Sequence, residues 1–293
     1  MCDHIEDLTM KTMIKYRGGK TREIPLFEKY FPDNWDTYFE PFFGGGAVFF
    51  YLEPSKSILN DVNSRLANFY IEVRDKFDLV HKQLSYLQSV YKNNQITFME
   101  AKEKNPIDRI INPNENLYYR LRDMFNHKTK SEYLDSVLYY FINKTAYSGM
   151  IRYNKNGEYN VPFGHYKNFN TDLVSEPHSN LLKKSSFLNG DYKNSFDLAS
   201  SDDFMFLDPP YDCTFNDYGN YISSDDGFNE LEHRRLASDF KNLSCKTLMI
   251  IGKTKLTEEL YSKYIKEEYD KTYSVNIRNR FKSLSKHLIV SNY

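Results

Sequence analysis

The strongest constraint on the fold is a run of three glycines set between a strand and a helix. Thr37-Tyr38-Phe39-Glu40 is short, aromatic and β-prone, and it passes into Pro41-Phe42-Phe43-Gly44-Gly45-Gly46. Ala47 to Leu52 then reads as the start of a buried helix, and Ser57 to Asn60 as a second strand ending at Asp61. Strand, glycine turn, helix, strand is a βαβ opening, so an α/β fold is expected. Glycines in that position let backbone approach a ligand, and the helix N-terminus presents N–H groups to it. The dinucleotide spacing Gly-x-Gly-x-x-Gly is not met, because the third spaced glycine is absent. Asp61 stands where a carboxylate can accept hydrogen bonds from ribose hydroxyls. The pair fits a nucleoside-containing cofactor. A ligand-free tight turn and a strand-capping Asp are the plainer alternatives.

Beyond Asn63 the period changes. Leu66, Phe69, Tyr70, Val73, Phe77, Val80, Leu84 and Leu87 recur at three- and four-residue steps, which predicts amphipathic helix. Further helices are expected around 97–104, 115–126 and 132–144, punctuated by Pro106 and Pro113. Residues 150–164 read as a hairpin whose Asn156-Gly157 supplies positive φ angles. Strand signals resume at 187–188, 204–207, 247–251 and 287–290. An α/β domain therefore starts, is interrupted by a helical insert, and resumes: 1–62 with 170–293, and 63–169 between them.

Asp208-Pro209-Pro210-Tyr211 follows the apolar strand Phe204 to Leu207. A carboxylate at the C-terminal end of a strand faces the crevice where open α/β sheets bind ligands. The two prolines fix φ and lack N–H donors, while their carbonyls still accept. Asp208 and the Pro209 carbonyl can both accept from a planar amino group, and Tyr211 offers a face for a heteroaromatic ring. A rigid turn with a capping Asp is the alternative.

Composition bounds the function less than these motifs do. The net charge of −1 hides an asymmetry: Lys193 is the only Lys or Arg between Asp191 and Glu232, and no acid follows Asp270. A bipolar molecule can still turn one positive face to a polyanion. The C-terminal run with Arg278, Arg280 and Lys282 is expected to face outward, with Leu288 to Val290 buried. Mean hydropathy is −0.67, and no apolar run approaches the ~20 residues of a membrane helix. Cys2, Cys213 and Cys245 make no disulfide framework, and the N-terminus lacks a secretory signal. An intracellular protein, cytoplasmic or nucleoid-associated, is expected. The seven His residues show no paired metal-ligand spacing, so no metal is expected, and His233 reads as part of a polar helix face.

Four ordered segments carry a resemblance. They are Lys15-Tyr16-Arg17-Gly18-Gly19-Lys20, Pro-Phe-Phe-Gly-Gly-Gly at 41–46, the hairpin Arg152 to Gly164, and Asp-Pro-Pro-Tyr at 208–211. Their order and sequences resemble the Dam-like adenine-N6 DNA methyltransferases of the alpha arrangement. The resemblance implies a seven-stranded sheet with one antiparallel strand and a helical target-recognition insert carrying the hairpin. It implies S-adenosylmethionine as cofactor and double-stranded DNA as partner, with room for a cognate restriction endonuclease as a functional partner.

Residue by residue, the resemblance places Tyr16, Gly18, Gly19 and Lys20 at the methionine end of the cofactor. Phe42 and Gly44, Gly45 and Gly46 form the pocket floor, and Asp61 binds the ribose. Asp208, Pro209, Pro210 and Tyr211 hold the target adenine, with Asp208 also near the cofactor. Tyr147-Ser148 sits where relatives place a wedge against the base stack; a Tyr packed inside the insert is the other reading. Lys15, Met150, Arg152, Asn154 and Pro162 fall at positions that touch DNA, with Arg152 suited to guanine and Lys155 to phosphate. Two departures matter: Tyr16 stands where the family usually has Trp, and His165-Tyr166-Lys167 follows Gly164 where relatives often carry Arg. The target sequence is therefore not carried over, beyond a short adenine-containing palindrome. Competing readings are a cytosine-N4 or RNA methyltransferase, a non-catalytic DNA-binding protein on the same fold, and a nicotinamide-dependent oxidoreductase.

Overall fold

All three residues of β1 (Tyr38–Glu40) are buried, because the strand runs through the interior of a largely parallel sheet covered on both faces. The computed structural model describes residues 9–211, 228–272 and 284–293. Ahead of β1 lies the short α1 (Ile24–Phe27); after it the glycine turn leads into α2 (Ala47–Leu52) and β2 (Ser57–Asn60). Then come α3 (Ser64–Asp75), α4 (Phe77–Lys104), α5 (Pro113–Phe125) and α6 (Asp135–Thr145). The chain returns through α7 (Glu176–Leu182), β3 (Ser185–Leu188), α8 (Lys193–Phe196), β4 (Phe204–Leu207) and α9 (Glu230–Lys241). It ends with β5 (Lys246–Gly252), α10 (Lys255–Tyr261), β6 (Ile265–Thr272) and β7 (Leu284–Ser291).

The seven strands form one sheet in the order β3-β2-β1-β4-β5-β7-β6. All run parallel except β7, which is antiparallel to both β5 and β6. The order reverses between β1 and β4, so the carboxyl ends of those strands frame the crevice where such sheets bind ligands. Alternation sorts the core: Tyr38, Phe204, Phe206, Leu248 and Ile250 pack on one face, and Phe39, Met205, Leu207, Met249 and Ile251 on the other. The first face is continuous with Leu66, Phe69, Tyr118, Tyr140 and Phe163, so α3–α6 share its core.

Three expectations need correction. The apolar period from Leu66 to Leu87 is helical and crosses two helices: Lys76, at φ −128° and ψ 31°, separates α3 from α4, and a one-residue break leaves the spacing of apolar residues intact. The stretch 97–104 is then the end of a 28-residue helix rather than a separate one. In the hairpin, pairing reduces to bridges at Tyr153↔Tyr159 and Ala146↔Phe163, and only Gly157 (φ 77°), not Asn156, has positive φ. Helix α5 and its C-cap residue Asn126 supply the missing partners. Asn126 donates to the Tyr159 carbonyl at 2.9 Å and accepts from its N–H at 2.8 Å, and Tyr118 donates to the Val161 carbonyl at 2.8 Å. Finally, His233 is fully buried, its ring edge-on to Phe228 at 4.8 Å. Arg278, Arg280, Lys282, Cys2 and Cys213 lie outside the described residues.

Candidate active site

The glycine turn is shaped by the rings around it. Gly44 and Gly46 have φ of +50° and +66°, a region L side chains avoid. A Cβ on Gly44 would lie 2.8 Å from Tyr16 Cε1, one on Gly45 would lie 2.9 Å from Tyr16 Cβ, and one on Gly46 would lie 2.5 Å from Phe43 Cζ. The turn thus admits the Tyr16 side chain against bare backbone. Asp61 pins the turn from below: its Oδ2 accepts from the Gly44 N–H at 2.9 Å and its Oδ1 from the Asn63 N–H at 2.8 Å. Burial pushes the Asp61 carboxyl up to about 6 against those two hydrogen bonds.

Above the turn lies a cavity of about 310 Å³, within the range of small-molecule sites. Tyr16, Gly18, Gly19, Lys20, Phe42, Gly44, Gly45, Gly46, Asp61 and Asp208 all line it, with Pro209 and Pro210. Segments 16–20, 41–48, 60–62 and 208–210, more than 140 residues apart in sequence at the extremes, therefore share one wall set. Tyr211 sits beside it, its hydroxyl donating to Asp208 Oδ1 at 3.2 Å.

Lys20, expected at the methionine end of the cofactor, already has partners within the chain. Only 2% exposed, it donates to Asp208 Oδ2 at 2.6 Å and to the Gly18 carbonyl at 2.8 Å. Asp208 keeps 22% of its side chain exposed; its partial burial pushes the carboxyl up, and the adjacent ammonium opposes that push. The same ammonium lies 5.1 Å from the centre of the Tyr211 ring.

Sequence reasoning missed several lining residues. Glu40, at the end of β1, is 3% exposed and accepts from the Tyr38 hydroxyl at 2.7 Å. Burial, with the charge of Asp208 adding, pushes it up to about 8. Asp191 and Tyr192 reach the cavity from the end of β3. Asp191 is held by Arg235 through two bonds of 2.8 and 2.9 Å, and the Tyr192 ring lies 5.3 Å from that of Phe42. A signal existed: Gly190-Asp191 follows a strand end as Asp61 does, at the same edge of the sheet. Phe228 and Glu232, near the start of α9, close the far side.

A second group of expected residues gathers on the surface. Lys15 precedes Tyr16 and is exposed; its N–H donates to Asn143 Oδ1 at 2.9 Å, and Asn143 donates back to its carbonyl at 2.7 Å. Its ammonium lies 4.3 Å from the Tyr166 ring centre, and its Cδ lies against Gly149. Tyr147 is 52% exposed and bonds through its N–H to the Pro162 carbonyl at 2.9 Å, and Ser148 beside it has φ 54°. The Met150 carbonyl accepts from the Tyr159 hydroxyl at 2.7 Å. Arg152, Lys155 and Pro162 are exposed. Asn154 spends its side chain on the turn, accepting from the N–H groups of Asn156 and Glu158 and donating to the Glu158 carboxylate.

Among the described residues, no group of three or more His, Cys, Asp or Glu is placed to hold a metal ion, and no helix is long and apolar enough to cross a membrane. Residues 16–277 match the model of the D12 class N6 adenine-specific DNA methyltransferases. The chain is similar to the Type II methyltransferase M.CviBI of Paramecium bursaria Chlorella virus NC1A, 36% identical over 292 residues, covering 97% of this chain and 100% of that one. It is also similar to the Type II methyltransferase M.MjaIII of Methanocaldococcus jannaschii, 33% identical over 255 residues (80% and 81%). A DNA adenine methylase of Haemophilus influenzae is 28% identical over 290 residues (94% and 92%). The match spans the glycine turn, the helical segment and the Asp-Pro-Pro-Tyr motif together, and the chain belongs to the D12 class of N6 adenine-specific DNA methyltransferases.

Proposed function

We propose that the cavity holds S-adenosylmethionine and that the chain methylates the exocyclic amine of an adenine extruded from a short palindromic site in duplex DNA. The observation that carries this reading is the convergence of Asp208, the glycine turn and Asp61 on one cavity at the switch point of the sheet. In this reading Tyr16, Gly18, Gly19 and Lys20 lie at the methionine end. Phe42 and Gly44 to Gly46 form the floor, Asp61 meets the ribose, and Tyr192 adds an apolar wall beside Phe42. The bound cofactor supplies a methyl group already activated on a sulfonium.

The protein's part is then binding, orientation and exclusion of water. An adenine within a duplex cannot reach the cavity, so it must be flipped. Its ring stacks on Tyr211 while Asp208 and the Pro209 carbonyl accept its two N–H bonds, with Pro210 fixing the turn. That arrangement turns the nitrogen lone pair toward the methyl group. In-line alignment of this kind contributes several kcal/mol, up to roughly 7–11 in ideal intramolecular cases. Lys20, by neutralising Asp208, lets the partly buried carboxylate stay ionised and act as acceptor. The proton leaves late, to water, because the product ammonium is acidic.

The helical segment 63–169 with its hairpin is the proposed DNA-reading part. Tyr147 and Ser148 fill the gap in the stack, Lys15, Met150, Arg152 and Pro162 meet base edges, and Asn154 and Lys155 shape or meet the backbone side. The exposed patch adjoins the cavity through Lys15-Tyr16, which suits a base leaving the duplex at that point. Transfer of a tritiated methyl group to duplex DNA, followed by digestion to nucleosides, tests the reaction: label is expected in N6-methyladenine. Label in methylcytosine, or in RNA alone, overturns it. Asp208→Ala is expected to lower turnover by more than about a hundredfold, the scale of losing one oriented polar partner, with DNA binding kept. Undiminished turnover removes Asp208 from the mechanism.

A further inference from the structure

We infer that His287, anchored by Glu23, is a positioning residue that sets the ring of Tyr211 for stacking of the target base. The inference deepens the reading above and rests on it, since it takes Tyr211 as the stacking platform. Glu23 is 3% exposed and His287 1% exposed, and they stand 264 residues apart in sequence. One Glu23 oxygen meets His287 Nδ1 at 2.8 Å and accepts from the Tyr269 hydroxyl at 2.7 Å. The other accepts from the Lys271 ammonium. A buried carboxylate with three partners from β6 and β7 fixes the plane of the imidazole, as outer partners fix a ligating histidine.

The imidazole in turn meets Tyr211. Their ring centres are 4.9 Å apart at 61°, an edge-to-face contact. His287 is the register partner of Gly252 on β5, and the Tyr211 ring also lies over Gly252, within 3.6–3.8 Å of where a Cβ would stand. At its tip the Tyr211 hydroxyl reaches Asp208. The ring is therefore held at its base by the sheet, at its side by His287 and at its tip by Asp208. A histidine serving only to knit β6 and β7 to the N-terminal segment has no need to touch the residue after Asp-Pro-Pro. The antiparallel end of the sheet thereby supports the geometry of a motif carried on β4.

The test is a mutant cycle read by single-turnover methyl transfer on duplex DNA carrying the site found by sequencing methylated adenines. His287→Leu is expected to slow transfer about three- to tenfold, the scale of an aromatic pair, with dissociation constants for DNA and S-adenosylmethionine within about twofold of the parent. His287→Phe, which keeps an edge-to-face ring but loses the bond to Glu23, is expected to recover part of that rate. Tyr211→Leu is expected to be slower, and the double variant Tyr211→Leu with His287→Leu no slower than Tyr211→Leu alone, because His287 acts through the ring. A double variant slowed by the product of the single effects overturns the inference, as does a parent rate in His287→Leu, or His287→Phe as slow as His287→Leu. A parent rate in Tyr211→Leu overturns the stacking role itself, and this inference with it. If His287→Leu does not fold, the same cycle run with Glu23→Gln and Tyr211→Leu decides by the same criterion.

Discussion

Arg152 shows how a single side chain is prepared for the base-reading role proposed for it. Its Nε donates to Asn160 Oδ1 at 2.9 Å and its Nη2 to the Asn160 carbonyl at 3.4 Å. The edge formed by Nε and Nη2 is thus engaged with Asn160, and these contacts do not use Nη1 of the terminal edge. That terminal edge is the one that pairs with the two major-groove acceptors of guanine. Arg152→Ala is expected to relax the preference at one base pair by about 1–3 kcal/mol while weakening other duplexes less. Competition among duplexes substituted one pair at a time measures it, and an equal loss on every duplex makes Arg152 a phosphate contact instead. At this scale, legibility follows sequence proximity. Asp208 and Tyr211, or Tyr16 and Lys20, are neighbours in the chain and could be read as motifs. Glu23 and His287 meet only through the sheet, and nothing in either local sequence marks them as a pair.

At the scale of elements, the glycine turn was legible, but its reason was only half seen. Backbone approach to a ligand explains glycines whose φ is positive. Gly45 is not among these, and its constraint is the Tyr16 side chain 2.9 Å from a built Cβ. Gly45→Ala is therefore expected to push Tyr16 out of the cavity, weakening S-adenosylmethionine binding more than about tenfold while unfolding shifts by no more than about 1–3 kcal/mol, the range for overpacking. Calorimetric titration beside thermal unfolding separates the two; unchanged affinity shows that Tyr16 does not touch the ligand. Strand β6, in contrast, was not legible. Ile265 to Thr272 reads Ile-Lys-Glu-Glu-Tyr-Asp-Lys-Thr, with two basic and three acidic residues mixed into it and little apolar alternation. Edge strands carry such charge because one side lacks a partner strand, and among the described residues β6 pairs with β7 alone. The hairpin was legible as a turn but not as an irregular one, because the side chains that replace its ladder come from α5 and its C-cap.

For the whole molecule, the α/β frame and the strand ends that build the cavity followed from pattern, while the electrostatic state of the cavity did not. Glu40 ends β1 in a wall that also holds Asp208, and it lies close to the Tyr38 hydroxyl. With its folded pKa at about 8 and an ordinary value of 4.5, Glu40 is protonated in the folded chain and ionised in the unfolded one between those limits. The folded state then binds the extra proton, so stability falls as pH rises from about 4.5 to about 8. At about 1.4 kcal/mol per unit, the loss is on the order of 3 kcal/mol near neutrality. Glu40→Gln keeps an acceptor for Tyr38 and cannot ionise, so it is expected to match the parent near pH 4.5 and to exceed it increasingly toward pH 8. Urea unfolding at several pH values measures this, and parallel curves for the two proteins count against a neutral Glu40. The same carboxyl links stability to ligand binding. A cation entering the cavity favours the ionised form of Glu40, so binding of S-adenosylmethionine near pH 7 is expected to release protons. Titration in buffers of different ionisation enthalpy detects them, and the release should vanish in Glu40→Gln.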